Sequence, residues 1–193
     1  FVAILGASQY TYAEASMSQQ KEDFVRSVEN AMHYFQGVPA AIVPDNLKSA
    51  VTKSSRFEPT INETFADFAD HYGATILPAR AYKPRDKSLV EGAVKILYHR
   101  IYAHLKENSF YSLAELNHQI WDLLKMHNDR KLTARPYSRK ELFLEDEKEK
   151  LRPLPEARFE LKYQSHATVM QNGHVLLSQD KNYYSVPYQY LKK

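Results

Sequence analysis

The chain opens on an apolar run, Phe1-Val2-Ala3-Ile4-Leu5, closed by Gly6-Ala7-Ser8, and Tyr10 to Ala15 returns to strand-forming residues, a pattern that predicts a β-hairpin. Phe24, Val28, Ala31, Met32 and Phe35 then recur at helical spacing. A Ser16/Gln19 capping pair precedes them and Gly37 and Pro39 follow, so an amphipathic helix is expected between. Ala40-Ala41-Ile42-Val43 is apolar without alternation, as in a strand covered on both faces, and it ends in Pro44-Asp45-Asn46. A polar stretch leads to Thr60 and Glu63, a second capping pair ahead of Ile61, Phe65, Phe68, Ala69 and Tyr72, with Gly73 closing that helix. Ala74 to Leu77 reads as another buried strand, and the order strand, helix, strand implies a right-handed parallel crossover.

Beyond a basic loop, Leu89 to Leu105 predicts a long helix with Val90, Ala93, Val94, Leu97 and Ile101 on its apolar side. Ser112 and Glu115 cap a further helix carrying Leu116, Ile120, Leu123, Leu124 and His127, and a short helix is expected between Ser138 and Glu147. The segment Glu145 to Arg158 is charged and contains Pro153 and Pro155, which suits a linker. After it the pattern alternates: Ala167-Thr168-Val169, His174 to Leu177 and Tyr183 to Val186 read as strands, the first two joined at Asn172-Gly173. The fold class is therefore α/β. The expected division is a core over 1–147, a linker over 148–158 and a small β module over 159–193.

At 193 residues the chain can bury one sizeable core, and 44% hydrophobic with 25% charged residues is the balance of a globular protein. No apolar run approaches the roughly 20 residues that span a bilayer, and the first residues carry no basic leader, so a soluble cytoplasmic protein is expected. The sequence contains no cysteine, which excludes thiolate zinc sites and cysteine nucleophiles and leaves oxygen or imidazole to hold any metal. No HExxH pair occurs, and His99, His104, His118 and His127 read as surface or boundary residues; the 14 tyrosines and 9 phenylalanines read as packing. Neither a nucleophile elbow nor a glycine-rich phosphate loop is present, which argues against an α/β hydrolase or a nucleotide-binding protein.

The net charge of +3 is unevenly spread. Residues 1–74 carry 5 cations and 9 carboxylates, residues 75–110 carry 7 and 3, and residues 111–193 carry 14 and 11. A polyanionic partner needs such a concentrated excess.

Asp45 follows an apolar strand, and ligands of open α/β sheets gather at the carboxyl ends of strands; the competing reading is a turn residue. Glu91 lies in the first turn of the long helix, on a face with Lys87, Lys95 and Tyr98 and away from the apolar stripe. Its competing role is a capping box with Ser88. Gly92 weakens the helix by about 1 kcal/mol relative to alanine, which suggests a close approach there. The loop from Ala79 to Lys87 brings four cations to the start of that helix, where a phosphate backbone would be welcome.

Four stretches in fixed order, Phe1 to Ser8, Pro44-Asp45-Asn46-Leu47-Lys48-Ser49-Ala50-Val51, Tyr82 to Glu91 and Tyr183-Tyr184-Ser185-Val186-Pro187, are similar to those of the IstA insertion-sequence transposases. The element order, with 45 residues between Asp45 and Glu91, resembles the ribonuclease-H-like mixed sheet of DDE transposases and retroviral-type integrases. That resemblance implies a DNA transposase that cleaves 3′ ends and transfers strands with two Mg²⁺ (or Mn²⁺) ions. It makes Asp45 and Glu91 the second and third members of the metal-binding triad and places the first aspartate on a strand before Phe1, so that these residues alone should not cut DNA. Lys83, Arg85, Lys87 and Lys95 are the expected DNA contacts, and residues 159–193 would form a small β-barrel-like module. DNA, an AAA+ ATPase helper and a homo-multimer on DNA are the implied partners. A ribonuclease-H-like module that binds nucleic acid without catalysis is the alternative.

Overall fold

The computed structural model describes residues 1–44, 51–53, 60–61, 63–77, 88–133, 135–162 and 167–191. The chain divides into two compact units, Phe1–Glu160 and Leu161–Lys193.

In the first unit the opening apolar run forms β1 (Val2–Ile4), antiparallel to β2 (Thr11–Ala13) with Val2 opposite Ala13. Its turn is clamped from afar, because the Glu147 carboxylate accepts from the Ala7 N–H at 2.8 Å, the Ser8 N–H at 3.0 Å and the Ser8 hydroxyl. Helix α1 (Lys21–Phe35) buries Val28, Ala31, Met32 and Phe35 of the stripe read from the sequence, and Val25 in addition, while Phe24 is half-buried. It starts later than the Ser16/Gln19 pair suggests: Gln20 is its cap residue without a side-chain bond, and Ser18 is tied instead to Asp23. At its end Gln36 takes the left-handed conformation, φ 58°. Gly37 serves a different need, since a Cβ there would stand 2.6 Å from Leu151 Cβ.

β3 (Ala41–Ile42) pairs in parallel with β6 (Thr75–Ile76), and α2 (Glu63–Tyr72) lies between them in sequence, as the crossover reading requires. Neither strand is covered on both faces. Val43 and Leu77, which follow them, are each 50% exposed. Each strand is two residues long and pairs with the other alone among the described residues. The sequence reading also missed a pair, β4 (Val51–Lys53) with β5 (Thr60–Ile61), which takes Thr60 into a strand and leaves α2 to begin at Glu63. Among the described residues the strands form four two-stranded pairs, not the continuous mixed sheet expected.

The long helix runs as α3 (Ser88–Leu97), a π-helical turn Tyr98–Tyr102 and α4 (Ala103–Leu105). Behind it α5 (Leu113–Asp129), capped by Ser112 accepting from the Glu115 N–H, ties itself to β2 and its flanks by side-chain hydrogen bonds. Asn117 exchanges two with Ala15, Asn128 two with Thr11, and Trp121 Nε1 donates to the Ala13 carbonyl at 3.1 Å. Leu5, Tyr12, Ala13, Ala31, Phe35, Leu97, Ile101, Ile120, Leu124 and Phe143 form the core between hairpin, α1, long helix and α5. After the capping box of Ser138 and Glu141, α6 (Arg139–Leu142) passes into a π turn, Phe143–Glu147, and a 3-10 turn, Lys148–Lys150. Residues 151–159 pack back within this unit: Val38 and Arg152 bridge, and buried Glu29 accepts from the Phe159 N–H at 2.9 Å and the Tyr72 hydroxyl at 2.6 Å.

The second unit holds a hairpin of β7 (His174–Leu177) and β8 (Asn182–Ser185), antiparallel, and a 3-10 turn, Tyr188–Tyr190. Asn172-Gly173 does form a turn, with Gly173 at φ 76°, but Ala167 to Val169 is not a strand. The partner of β7 is β8, reached through Asp180 and the left-handed Lys181. Tyr183, Tyr184, Tyr188 and Tyr190 are exposed, which corrects their reading as packing residues.

Candidate nucleic-acid site on the long helix

Helix α3 packs against β1, and the two sides of this helix differ. Ala93 and Leu97 are buried and Ile101 continues their line, whereas Glu91 and Lys95 point to solvent. Val94, 42% exposed, drops out of the buried stripe assigned from the sequence, because at 100° per residue it lies toward the Glu91 side. Ser88 is the first residue of α3, where a capping box would need the residue before the helix. Among the described residues no hydrogen bond or ion pair engages Glu91, so its carboxylate oxygens stand open. That is the donor chemistry a hard divalent ion requires. Asp45, Lys83, Arg85 and Lys87 lie outside the described residues; of the approach to Asp45, the structure describes β3, Val43 and Pro44.

Gly92 does not mark a close approach within the molecule, since a Cβ built on it meets nothing within 4 Å. It borders instead a cavity of about 200 Å³ lined by Ile4, Gln9, Thr11, Ala93, His127 and Arg139 among others. Gly92, Ala93 and Ile96, the lining residues from the middle of α3, lie on the face away from Glu91.

His127, read as a boundary residue, is 5% exposed. Burial first, and then the guanidinium groups of Arg139, Arg100 and Arg130, hold its imidazole down to about 3. Arg100 Nη1 lies 3.3 Å from His127 Nδ1, and Arg139 is itself 5% exposed. Sequence reasoning passed over this cluster because its members come from three elements. The available signal was the run from Lys125 to Lys140, with six cations and one carboxylate.

Compared with known proteins, the chain is 48% identical over 189 residues to a transposase candidate of Sinorhizobium fredii, y4bL/y4kJ/y4tB, covering 98% of this chain and 36% of that protein. It is 30% identical over 190 residues to the transposase for insertion sequence element IS21 of Pseudomonas aeruginosa, covering 96% of this chain and 47% of that protein. Over nearly its whole length the chain is similar to insertion-sequence transposases. It spans less than half the length of these two relatives. No family model matches it.

Among solved structures, the catalytic core domain of BIV integrase superposes with a TM-score of 0.60 at 15% identity, over 77% of this chain and 87% of that core. The HTLV-2 integrase catalytic core in complex with magnesium gives 0.55 at 15% identity, over 72% and 80%. At such identity the likeness establishes the fold, ribonuclease-H-like α/β, which accounts for the parallel β3–β6 pair beside the antiparallel hairpin.

Proposed function

We propose that in the full-length transposase Asp45 and Glu91 are the second and third carboxylates of a two-metal site that frees 3′ ends of an element and joins them to target DNA. The observation that carries the reading is the open carboxylate of Glu91 on the solvent side of α3, in a fold shared with integrase cores. A first aspartate from the strand before Phe1 would complete the set. A pair of divalent ions, Mg²⁺ or Mn²⁺, would supply Lewis-acid stabilisation of the attacking and leaving oxygens.

The residues' work is then positional. Asp45, three residues after β3 in sequence, and Glu91, in the first turn of α3, would supply oxygen ligands, while Lys95 one turn on, with Lys83, Arg85 and Lys87, would hold backbone phosphates. In the first step water forms a P–O bond as the bond from phosphorus to the 3′ oxygen breaks, and the proton of the water passes to solvent. In the second, the freed 3′-hydroxyl forms the new P–O bond and a target 3′ oxygen leaves. No bond to the protein forms. Residues 161–193 would add DNA contacts as part of a small β-barrel-like module, and the working form would be a homo-multimer on DNA assisted by an AAA+ ATPase.

Substituting Asp45→Asn or Glu91→Gln in the full-length protein should abolish strand transfer, a loss of at least about a hundredfold, while duplex binding in a mobility-shift assay stays near wild type. Unimpaired transfer by either variant overturns the assignment.

A further inference from the structure

Arg100 on the π turn, Arg130 at the end of α5 and Arg139 at the start of α6 all act on the buried His127. Burial first, and then Arg130, depresses Arg100, while burial and then Arg100 depress Arg139, as like charges do. Such a gathering ordinarily carries a carboxylate, because an unpaired buried charge is costly. Here the nearby carboxylates are engaged elsewhere. Asp129 pairs with Lys140 at 3.4 Å, Glu141 accepts from the Ser138 N–H, and Glu147 holds the β1–β2 turn. No carboxylate among the described residues is paired with Arg100, Arg130 or Arg139.

His127 is neutral and cannot compensate the three cations. Two members of the cluster, His127 and Arg139, line the 200 Å³ cavity beneath α3. Over residues 129–141, Arg130, Lys131 and Arg135 are exposed and Lys140 half-buried, against two exposed carboxylates, Asp129 and Glu141. Guanidinium groups present paired donors that match the oxygens of a phosphate, and a π turn inserted into a helix is often retained for function.

We infer that Arg100, Arg130 and Arg139 form a seat for a DNA backbone phosphate, on the side of α3 opposite Glu91. The choice of DNA as the source of that phosphate rests on the transposase reading; the demand for an anion rests on the cluster alone. An acidic protein surface is the competing occupant. DNA fits better because a single phosphodiester can take bidentate bonds from two arginines while its neighbours meet Arg135 and Lys131.

The test measures binding of a random-sequence duplex to the full-length protein across a KCl series. Arg130→Gln and Arg100→Gln should each make the plot of log affinity against log salt shallower by about one. Arg26→Gln, an exposed arginine on α1, should leave it unchanged. Arg139→Gln is run with a melting curve, since a buried position can cost folding, and exposed Arg130 decides the matter where it does. Glu91→Gln should keep the wild-type slope, so its activity tests the metal site and the arginine slopes test this seat. Inorganic phosphate should also raise the melting temperature of the wild type and not that of Arg100→Gln/Arg130→Gln. Unchanged slopes in both Arg100→Gln and Arg130→Gln overturn the inference, even if inorganic phosphate binds.

Discussion

His127 illustrates how one residue's surroundings set a macroscopic property. Its imidazole titrates near 3 in the folded protein and near 6.5 when the chain unfolds, so the unfolded chain takes up the proton first. The stability it allows is complete above about pH 6.5 and is lost progressively as the pH falls toward 3. Denaturant midpoints should therefore drop between pH 7 and 5, by at most about 1.4 kcal/mol per pH unit below 6.5, and the drop should shrink in His127→Gln. Equal pH dependence in the two proteins would contradict the burial and charge argument. Position along the chain predicted the solvent-facing Glu91 and Lys95 correctly, because a helical wheel needs only 100° steps and an apolar stripe. It could not have predicted the state of His127, whose cationic neighbours Arg100 and Arg139 are 27 and 12 residues away in sequence.

At the scale of elements, amphipathic helices were the most legible part, since α1, α2 and α5 each carry their own apolar stripe. Their starts were less so. A serine or threonine three residues before a Glu or Gln is common, and the Ser16 and Thr60 pairs lost to a local Ser18–Asp23 tie and to a strand. The β4–β5 pair was missed because Val51 to Lys53 and Thr60-Ile61 are too short for period-two alternation to register. Gly37 was read as a helix stop, and α1 does end just before it, at Phe35; the molecule also uses it as a place where Leu151 comes close. Gly37→Ala should therefore destabilise, since its Cβ would also lie 3.0 Å from the Arg152 carbonyl, a backbone atom that cannot swing aside. A cost of about 1–3 kcal/mol is expected for such overpacking, read as a fall of roughly 2–10 °C in melting temperature. A melting temperature at or above wild type would show that residues 151–152 are not packed as described.

For the whole molecule, the α/β class and the strand-helix-strand order through β3, α2 and β6 followed from the pattern of apolar runs, while the resemblance to insertion-sequence transposases came from motif order and agrees with the relatives found. The second unit was harder to read: a hairpin was expected and is present, but its strands are paired one step later in the chain. Short strands with exposed tyrosines have no buried face to fix their register. The candidate site was half legible. The same reasoning found the Glu91 side of α3 and overlooked the arginine cluster on the other side, because clustering in space is a property of packing and not of spacing.

The central claim is that the carboxylates of Asp45 and Glu91 share divalent ions. It is tested most directly by loading the full-length protein with Fe²⁺ in place of Mg²⁺, adding ascorbate and peroxide, and mapping where the chain is cut by locally generated radicals. Cuts clustered around residues 45 and 91, suppressed by excess Mg²⁺ and lost in Glu91→Gln, are the predicted result. Mg²⁺-sensitive cuts confined to other parts of the chain would contradict it.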